Sequence, residues 1–274
     1  MTKPVIVGTV LYDPKVAVIW GIISDFFNEN GFPIDMVFYS NYDLMVDALL
    51  KRNIDIAWNS PLSWLDSQMR SGGRCRAIAM RDTDRDRESY LVVKADSGFK
   101  KVSDLRGKSV AVGASDSPQA TLIPLSYLQN HGLIPGKDVH VKRFDILVGK
   151  HGDHTGGELE AFYSLSRGEV VACAMIDLNW QRWTQDGTIN PNEYKILATT
   201  DKFDHCVFTV RQDFPADLEK RWLEVLFSMS YDNPKHREMM DMEGLKQWLP
   251  GRTSGFGPLG DAVKTFHFFK GGEI

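Results

Sequence analysis

Apolar positions along this chain fall into short β-type runs that alternate with longer helical stripes. Residues 4–11 and 34–39 are β-rich runs, and residues 16–28 between them carry an apolar stripe at helical spacing that Gly31 ends. Ser40 or Asn41 can cap a helix through Leu50, residues 54–58 predict a third strand, and Ser60-Pro61 opens a helix to about Arg70. Two more strands follow at 76–80 and 89–94. The pattern then restarts with a helical turn at 102–105, a strand at 109–112 and a loop at 113–117. A helix at 118–130, a strand at 139–143, a helix at 158–166, a strand at 170–176 and a helical stretch at 180–185 come next. Strands at 194–199 and 206–210 and helices at 214–229 and 234–248 complete the reading. Short connections between alternating elements predict the α/β class.

One internal echo divides the chain. Residues 48–57 read as a helix end, a polar turn and a buried strand, and residues 165–174 repeat that order. The repeat predicts two similar α/β lobes: residues 1–92 with 200–274 as a discontinuous first lobe, and 93–199 as the second.

Composition narrows the classes. The chain has 274 residues, 43% hydrophobic and 25% charged, with a formal charge of -4, which suits a globular protein and gives no electrostatic footprint for nucleic acid. No 18-residue apolar run predicts membrane insertion. The first residues show no charged, apolar and small-residue sequence of a secretion leader. The expected compartment is therefore cytoplasmic if the sequence is complete and periplasmic if a leader was trimmed. Three cysteines, Cys75, Cys173 and Cys206, are too few for a disulfide framework and lack zinc-finger spacing.

Candidate chemistry gathers at helix starts. Tyr12-Asp13-Pro14, Asn59-Ser60-Pro61 and Ser115-Asp116-Ser117-Pro118-Gln119 each follow a strand and place proline in the first helical turn. Free N–H groups and the helix dipole there favour a small anion, and in open α/β sheets ligands sit beyond the carboxyl ends of strands. The alternative is that Ser60 and Ser117 serve only as N-caps. The run from Gly149 to Glu158 holds His151, Asp153, His154 and Glu158 among four glycines. His154 would donate hydrogen bonds to an oxyanion. Alternatively His151, Asp153, His154 and Glu158 would hold zinc or iron, or the run is an exposed loop. Asp177 ends a buried strand, where it would accept a hydrogen bond from a protonated ligand oxygen or an ammonium, or cap the helix that carries Trp180 and Trp183.

Asp204-His205-Cys206 invites a nucleophile reading. Strand alternation would point His205 and Cys206 to opposite faces, leaving Cys206 as a small buried residue, with Cys75 and Cys173 in the core. Tyr12, Trp58 and Tyr90 would wall a cleft or simply pack. Residues 81–87 read as a solvated connection from which Arg81 would reach a ligand.

The segments Asp55-Ile56-Ala57-Trp58-Asn59-Ser60-Pro61-Leu62-Ser63 and Asp104-Leu105-Arg106-Gly107-Lys108-Ser109-Val110-Ala111-Val112-Gly113 carry a family resemblance, together with residues 115–124 and the corner at Ile176-Asp177. In them the chain resembles the type 2 periplasmic-binding-protein superfamily, in particular the phosphate, phosphite and phosphonate substrate-binding proteins of ABC transporters. The resemblance spans roughly residues 5–230. It implies two lobes joined by two hinge strands that close over a small oxyanion and deliver it to an ABC permease, without a cofactor. By position it assigns Asn59 and Ser60 to the first lobe's share of the ligand, and Ser115, Ser117, Gln119, His154 and Asp177 to the second's; Tyr12 and Tyr90 join them from their strand ends. Two other classes share the fold. One is a cytoplasmic lyase, decarboxylase or hydrolase on a small acid, with His151 or His154 as base or metal ligand and Cys206 as a further catalytic candidate. The other is a cytoplasmic ligand sensor.

Overall fold

The structure is a computed structural model that describes residues 3–151 and 157–270. From the N-terminus the elements are β1 (Val5–Val10), α1 (Pro14–Glu29), β2 (Ile34–Tyr39), α2 (Tyr42–Leu50), β3 (Ile56–Asn59), α3 (Pro61–Ser71) and β4 (Cys75–Arg81). The next stretch holds β5 (Ser89–Lys94), β6 (Ser109–Val112), α4 (Ile123–Asn130), β7 (His140–Arg143), α5 (Gly157–Ser166), β8 (Ala172–Ile176), α6 (Asp177–Gln185) and β9 (Tyr194–Thr199). β10 (Val207–Arg211), α7 (Ala216–Phe227), α8 (Pro234–Glu243), β11 (Trp248–Pro250) and α9 (Gly257–Thr265) complete the order.

The chain divides into two compact units. The first takes residues up to 85 and 204–255, and the second takes 86–203 and the chain from 256 on. The expected boundaries differ at three places: 86–92, 200–203 and the chain from 256 on, expected in the first lobe, fall in the second unit. β5 belongs there because it pairs with β8 and β9, and residues 256–270 because α9 packs on α4 and Phe266 packs against the cluster around Leu125 and Leu128.

In the first unit six strands run in the order β11-β4-β10-β3-β1-β2. β1 pairs parallel with β2 in register from Val5↔Ile34 to Val10↔Tyr39, and parallel with β3. β10 returns antiparallel between β3 and β4. Helices cover both faces, so β3 is buried at every position. One face is aromatic: Phe208 lies 4.5 Å from Trp58 and 4.8 Å from Trp222 between ring centroids, with Trp20, Phe27 and Trp248 around them. Aromatic pairs at these spacings add about 0.5–1.5 kcal/mol each beyond their buried area. Gly8 sits where β1 meets its neighbours so closely that a Cβ would lie 2.5 Å from Ile54 Cδ1.

The second unit repeats the plan with five strands in the order β7-β6-β8-β5-β9. β6 pairs parallel with β7 and β8, while β5 pairs antiparallel with β8 and β9. Apolar clusters lie on both faces of the sheet, one around Leu125 and Leu128, the other around Phe162 and Trp183.

The expected elements occur in the expected order, with four differences. The late helix stops at Glu243, because Gly244 takes a left-handed φ of 74° as its cap, and Trp248 lies instead in an edge strand paired with Arg81 of β4. The nine residues of α9 include two glycines and a proline, so they read as loop. The helix expected over 118–130 begins as a π-turn, Pro118–Leu122, in which Leu122 N donates to Ser117 O at 2.9 Å. Pro124 has no N–H to give the Ala120 carbonyl, and that carbonyl accepts from Gly113 N at 3.2 Å instead. Finally, the connection after β4 is not a solvated run. Residues Asp82–Asp84 form a 3-10 turn, and Arg81 and Asp84 are buried.

Candidate functional site

In the first unit the turn after β3 is built by hydroxyls. Ser60 is buried and caps α3: its Oγ accepts from Ser63 N at 3.2 Å, and the two hydroxyl oxygens lie 3.0 Å apart. Pro61 takes the first helical position, where its missing N–H costs nothing. Asn59 is fully buried, and its amide donates to Ser67 Oγ at 3.1 Å and Thr209 Oγ1 at 3.0 Å. Its carbonyl oxygen Oδ1 has no hydrogen-bond partner. Tyr12 packs on the aromatic core beside the Asp13 cap, whose carboxylate accepts from Lys15 N at 2.8 Å.

In the second unit the turn after β6 is tighter. Ser117 is fully buried and caps the π-turn, its Oγ accepting from Ala120 N at 3.2 Å. Ser115 is half-buried and its N–H goes to Asp145 at 2.7 Å. Asp116 accepts from Gly149 N at 2.6 Å and His151 N at 3.3 Å, and its second oxygen has no partner. Burial raises the Asp116 carboxyl above the usual range, against the pull of those backbone donors.

Glu158 ties this turn to the end of β8. One oxygen accepts from Gln119 Nε2 at 3.1 Å; the other accepts from Ile176 N at 2.9 Å and Asn179 Nδ2 at 2.8 Å. The next residue after β8, Asp177, opens α6 and pairs with Arg87 at 3.1 Å. Its Oδ1 is buried without a partner, and burial raises its carboxyl despite Arg87. Tyr90 stands edge-on to Trp180, and burial raises its phenol. Glu158 thus links Gln119, two residues after Ser117, to Ile176 N and Asn179 on either side of Asp177. His154 and Asp153 lie outside the described residues.

His151 is buried with a left-handed φ of 55°, and burial pushes its imidazole from 6.5 down to about 3. An imidazole that low is a weak general base near neutrality. Of the metal set read from this run, Glu158 is committed to the three donors just described.

Cys206 overturns one expectation. Its Sγ lies 3.1 Å from His205 Nδ1, although alternation would have separated them. The pair precedes β10, which starts at Val207, so no ladder sets their faces. Both side chains are buried, at 3% and 2% exposure, which does not suit a nucleophile that must meet a substrate. Arg81 is no ligand arm either. It donates to both Asp84 oxygens at 2.7 Å and to Glu243, and lies 5.3 Å over the Trp58 ring. Burial opposes the charged form of Asp84, yet Arg81 and His205 hold its carboxyl well below the usual range.

Sequence reasoning missed three contributors to these sites: Glu158 as a tie, Asn179, and the Asp84 cluster. Asn179 carries no signal beyond its place two residues after Asp177. A cavity of about 550 Å³ in the first unit is lined by Arg52, Arg70, Arg74 and Arg211. It lies at the end of β10 and the start of β4, remote along the strands from the Ser60 turn. Arg52 pairs with Asp213, Arg70 with Asp47 and Asp66, and Arg211 with Asp213.

Two α/β units, each a sheet covered by helices on both faces, define the class of two-lobed binding proteins. The chain belongs to the family described as ABC transporter, phosphonate, periplasmic substrate-binding protein, which it matches over residues 18–255. A stretch of 31 residues, 11% of the chain, is 61% identical to an uncharacterized protein of Haemophilus influenzae and spans 44% of that relative's length. A probable ABC transporter phosphite binding protein, PhnD1 of Prochlorococcus marinus, is 19% identical over 219 residues, covering 76% of this chain and 70% of the relative. The solved structure of Prochlorococcus marinus PhnD1 in complex with methylphosphonate superposes with a TM-score of 0.71 at 16% identity, over 97% of this chain and 98% of that one. A Xanthomonas citri protein solved bound to ATP gives 0.72 at 14% identity over the whole of both chains. At these identities the structural likeness establishes the fold. No helix among the described residues is long and apolar enough to cross a membrane.

Proposed function

We propose that this chain is the substrate-binding component of an ABC transporter and takes up a small phosphonate- or phosphite-like oxyanion outside the inner membrane for its permease. The observation that carries this reading is the family match, which extends over most of the chain. The second-unit site supports it. Asp177 presents a buried acceptor oxygen with no partner, and its carboxyl is raised by burial. A buried acceptor left unmet costs about 1–3 kcal/mol, which a donor on the ligand would recover. A hydrogen-bearing phosphonate or phosphite oxygen, or an ammonium, supplies that donor; a sulfonate supplies none.

The proposed ligand contacts are Ser115, Ser117, Tyr90 and Asp177 of the second unit, Tyr12 and Ser60 of the first, and His154. Asn59 and Gln119 have their amide nitrogens committed internally and would act by holding Ser67 and Glu158 in place. The low basicity of His151 and the burial of Cys206 weigh against the enzyme alternative. Calorimetry of the full chain against methylphosphonate, phosphite, phosphate, ethanesulfonate and ATP tests the reading. Micromolar or tighter binding is expected for a phosphonate or phosphite, with ethanesulfonate weaker. Binding of ATP or ethanesulfonate alone, or of none of the five, would overturn it.

A further inference from the structure

The first unit holds a buried cluster that the oxyanion reading does not use. Asp84, His205 and Cys206 are exposed by 1%, 2% and 3%, and one ligand atom from each lies within 4.8 Å of the others. Nδ1 of His205 stands 3.1 Å from Cys206 Sγ and 3.6 Å from Asp84 Oδ1. Donors around a tetrahedral zinc, with bonds of about 2.0–2.3 Å, sit about 3.4–3.6 Å apart. The imidazole nitrogen therefore already lies within about half an ångström of both spacings.

Two buried carboxylates, those of Asp84 and Glu243, meet at Arg81 beside the cluster, and the neighbouring Asp204 pairs with Arg252. Anionic oxygens and a thiol gathered out of solvent are the donor types that a divalent metal takes.

We infer that Asp84, His205 and Cys206 form a binding site for a thiophilic divalent metal of the zinc class, through Asp84 Oδ1, His205 Nδ1 and Cys206 Sγ. As the metal–sulfur bond forms, the Cys206 thiol gives its proton to solvent, and no electron is transferred. Arg81 stays on Asp84 and Glu243, so the carboxylate bridges guanidinium and metal. Three protein ligands leave the fourth position for water. The backbone N–H groups of residues 204–206 donate to Gly255 O, Asp84 O and Asp84 Oδ1, so the three ligand atoms are held in place before an ion arrives. Asp84 and His205 flank the two points where the chain passes between units, at 85/86 and 203/204.

The probe is Co²⁺, titrated into the full chain after chelation and desalting. One equivalent should give d–d bands in the visible and a thiolate-to-cobalt charge-transfer band in the near ultraviolet, and Zn²⁺ should displace it. Cys206→Ser should abolish the charge-transfer band, while Cys75→Ser should leave it intact. His205→Ala should weaken Co²⁺ by at least about tenfold. Asp84→Asn risks misfolding beside Arg81, so the Cys206 and His205 variants carry the test. No charge-transfer band at stoichiometric Co²⁺, or a band that survives Cys206→Ser, would overturn the site. Oxyanion binding is measured separately, so its failure leaves this result unaffected.

Discussion

His151 gives the sharpest measure of how burial controls chemistry in the second unit. Its imidazole is driven from 6.5 to about 3 by desolvation. A value depressed in the folded state means that the neutral ring stabilises the fold fully above about pH 6.5. That contribution is lost as pH falls toward 3, where the folded ring at last takes a proton. From those two values, the loss relative to neutral pH is about 2 kcal/mol at pH 5 and about 3 kcal/mol at pH 4. Asp116, which accepts the His151 backbone N–H, shifts the other way: burial raises its carboxyl, so its protonation at low pH favours the fold. The imidazole must therefore be isolated by difference. His151→Asn serves, because asparagine tolerates the left-handed φ of 55° at this position. Urea unfolding followed by circular dichroism at pH 7, 5 and 4 would compare the two proteins. Wild type should lose about 2–3 kcal/mol more than the variant between pH 7 and pH 4. An unchanged difference between the proteins across that range would mean that the ring is solvated and that the desolvation argument is wrong.

Three further outcomes test other joints of the structure. Glu158→Leu strands the Gln119, Ile176 and Asn179 donors in the interior and should cost about 3–5 kcal/mol, whereas Glu158→Gln, whose oxygen keeps Ile176 N and Asn179 Nδ2 while its NH2 requires the Gln119 amide to turn and offer its oxygen, should cost about 1–2 kcal/mol; equal midpoints in urea for Leu and Gln would refute the tie. Gly157→Ala places a methyl 2.8 Å from the Phe144 carbonyl oxygen and 3.0 Å from Ala114 N, both backbone atoms, so about 1–3 kcal/mol should be lost in thermal unfolding, and a variant as stable as wild type would show that α5 can shift. Asp177→Asn should leave the far-ultraviolet spectrum unchanged while weakening methylphosphonate by about tenfold or more in calorimetry; unaltered affinity would remove Asp177 from the site.

What the sequence made legible, and what it hid, follows from the range of the forces involved. The apolar runs placed the strands because β1 and β3 are covered on both faces and are apolar but for Thr9 and Asn59 near their carboxyl ends. The Asp13-Pro14 and Ser60-Pro61 starts were legible because a cap and its helix are neighbours in the chain. Arg81 was misread because its partner Glu243 lies 162 residues away, and a charged run looks solvated until that partner is known. Cys206 was misread because alternation governs a ladder and the residue lies just outside one. The same logic bears on the ligand turn. Ser117 stood out because a serine before proline signals a cap, and a cap it is: Oγ spends an acceptor lone pair on Ala120 N–H. That use leaves the hydroxyl proton, which a cap does not need and an oxyanion does. The feature that made Ser117 visible therefore accounts for its burial. Its part in binding rests on the hydrogen it has left to donate, and Ser117→Ala, which removes both, cannot separate the two roles without a stability measurement beside the affinity.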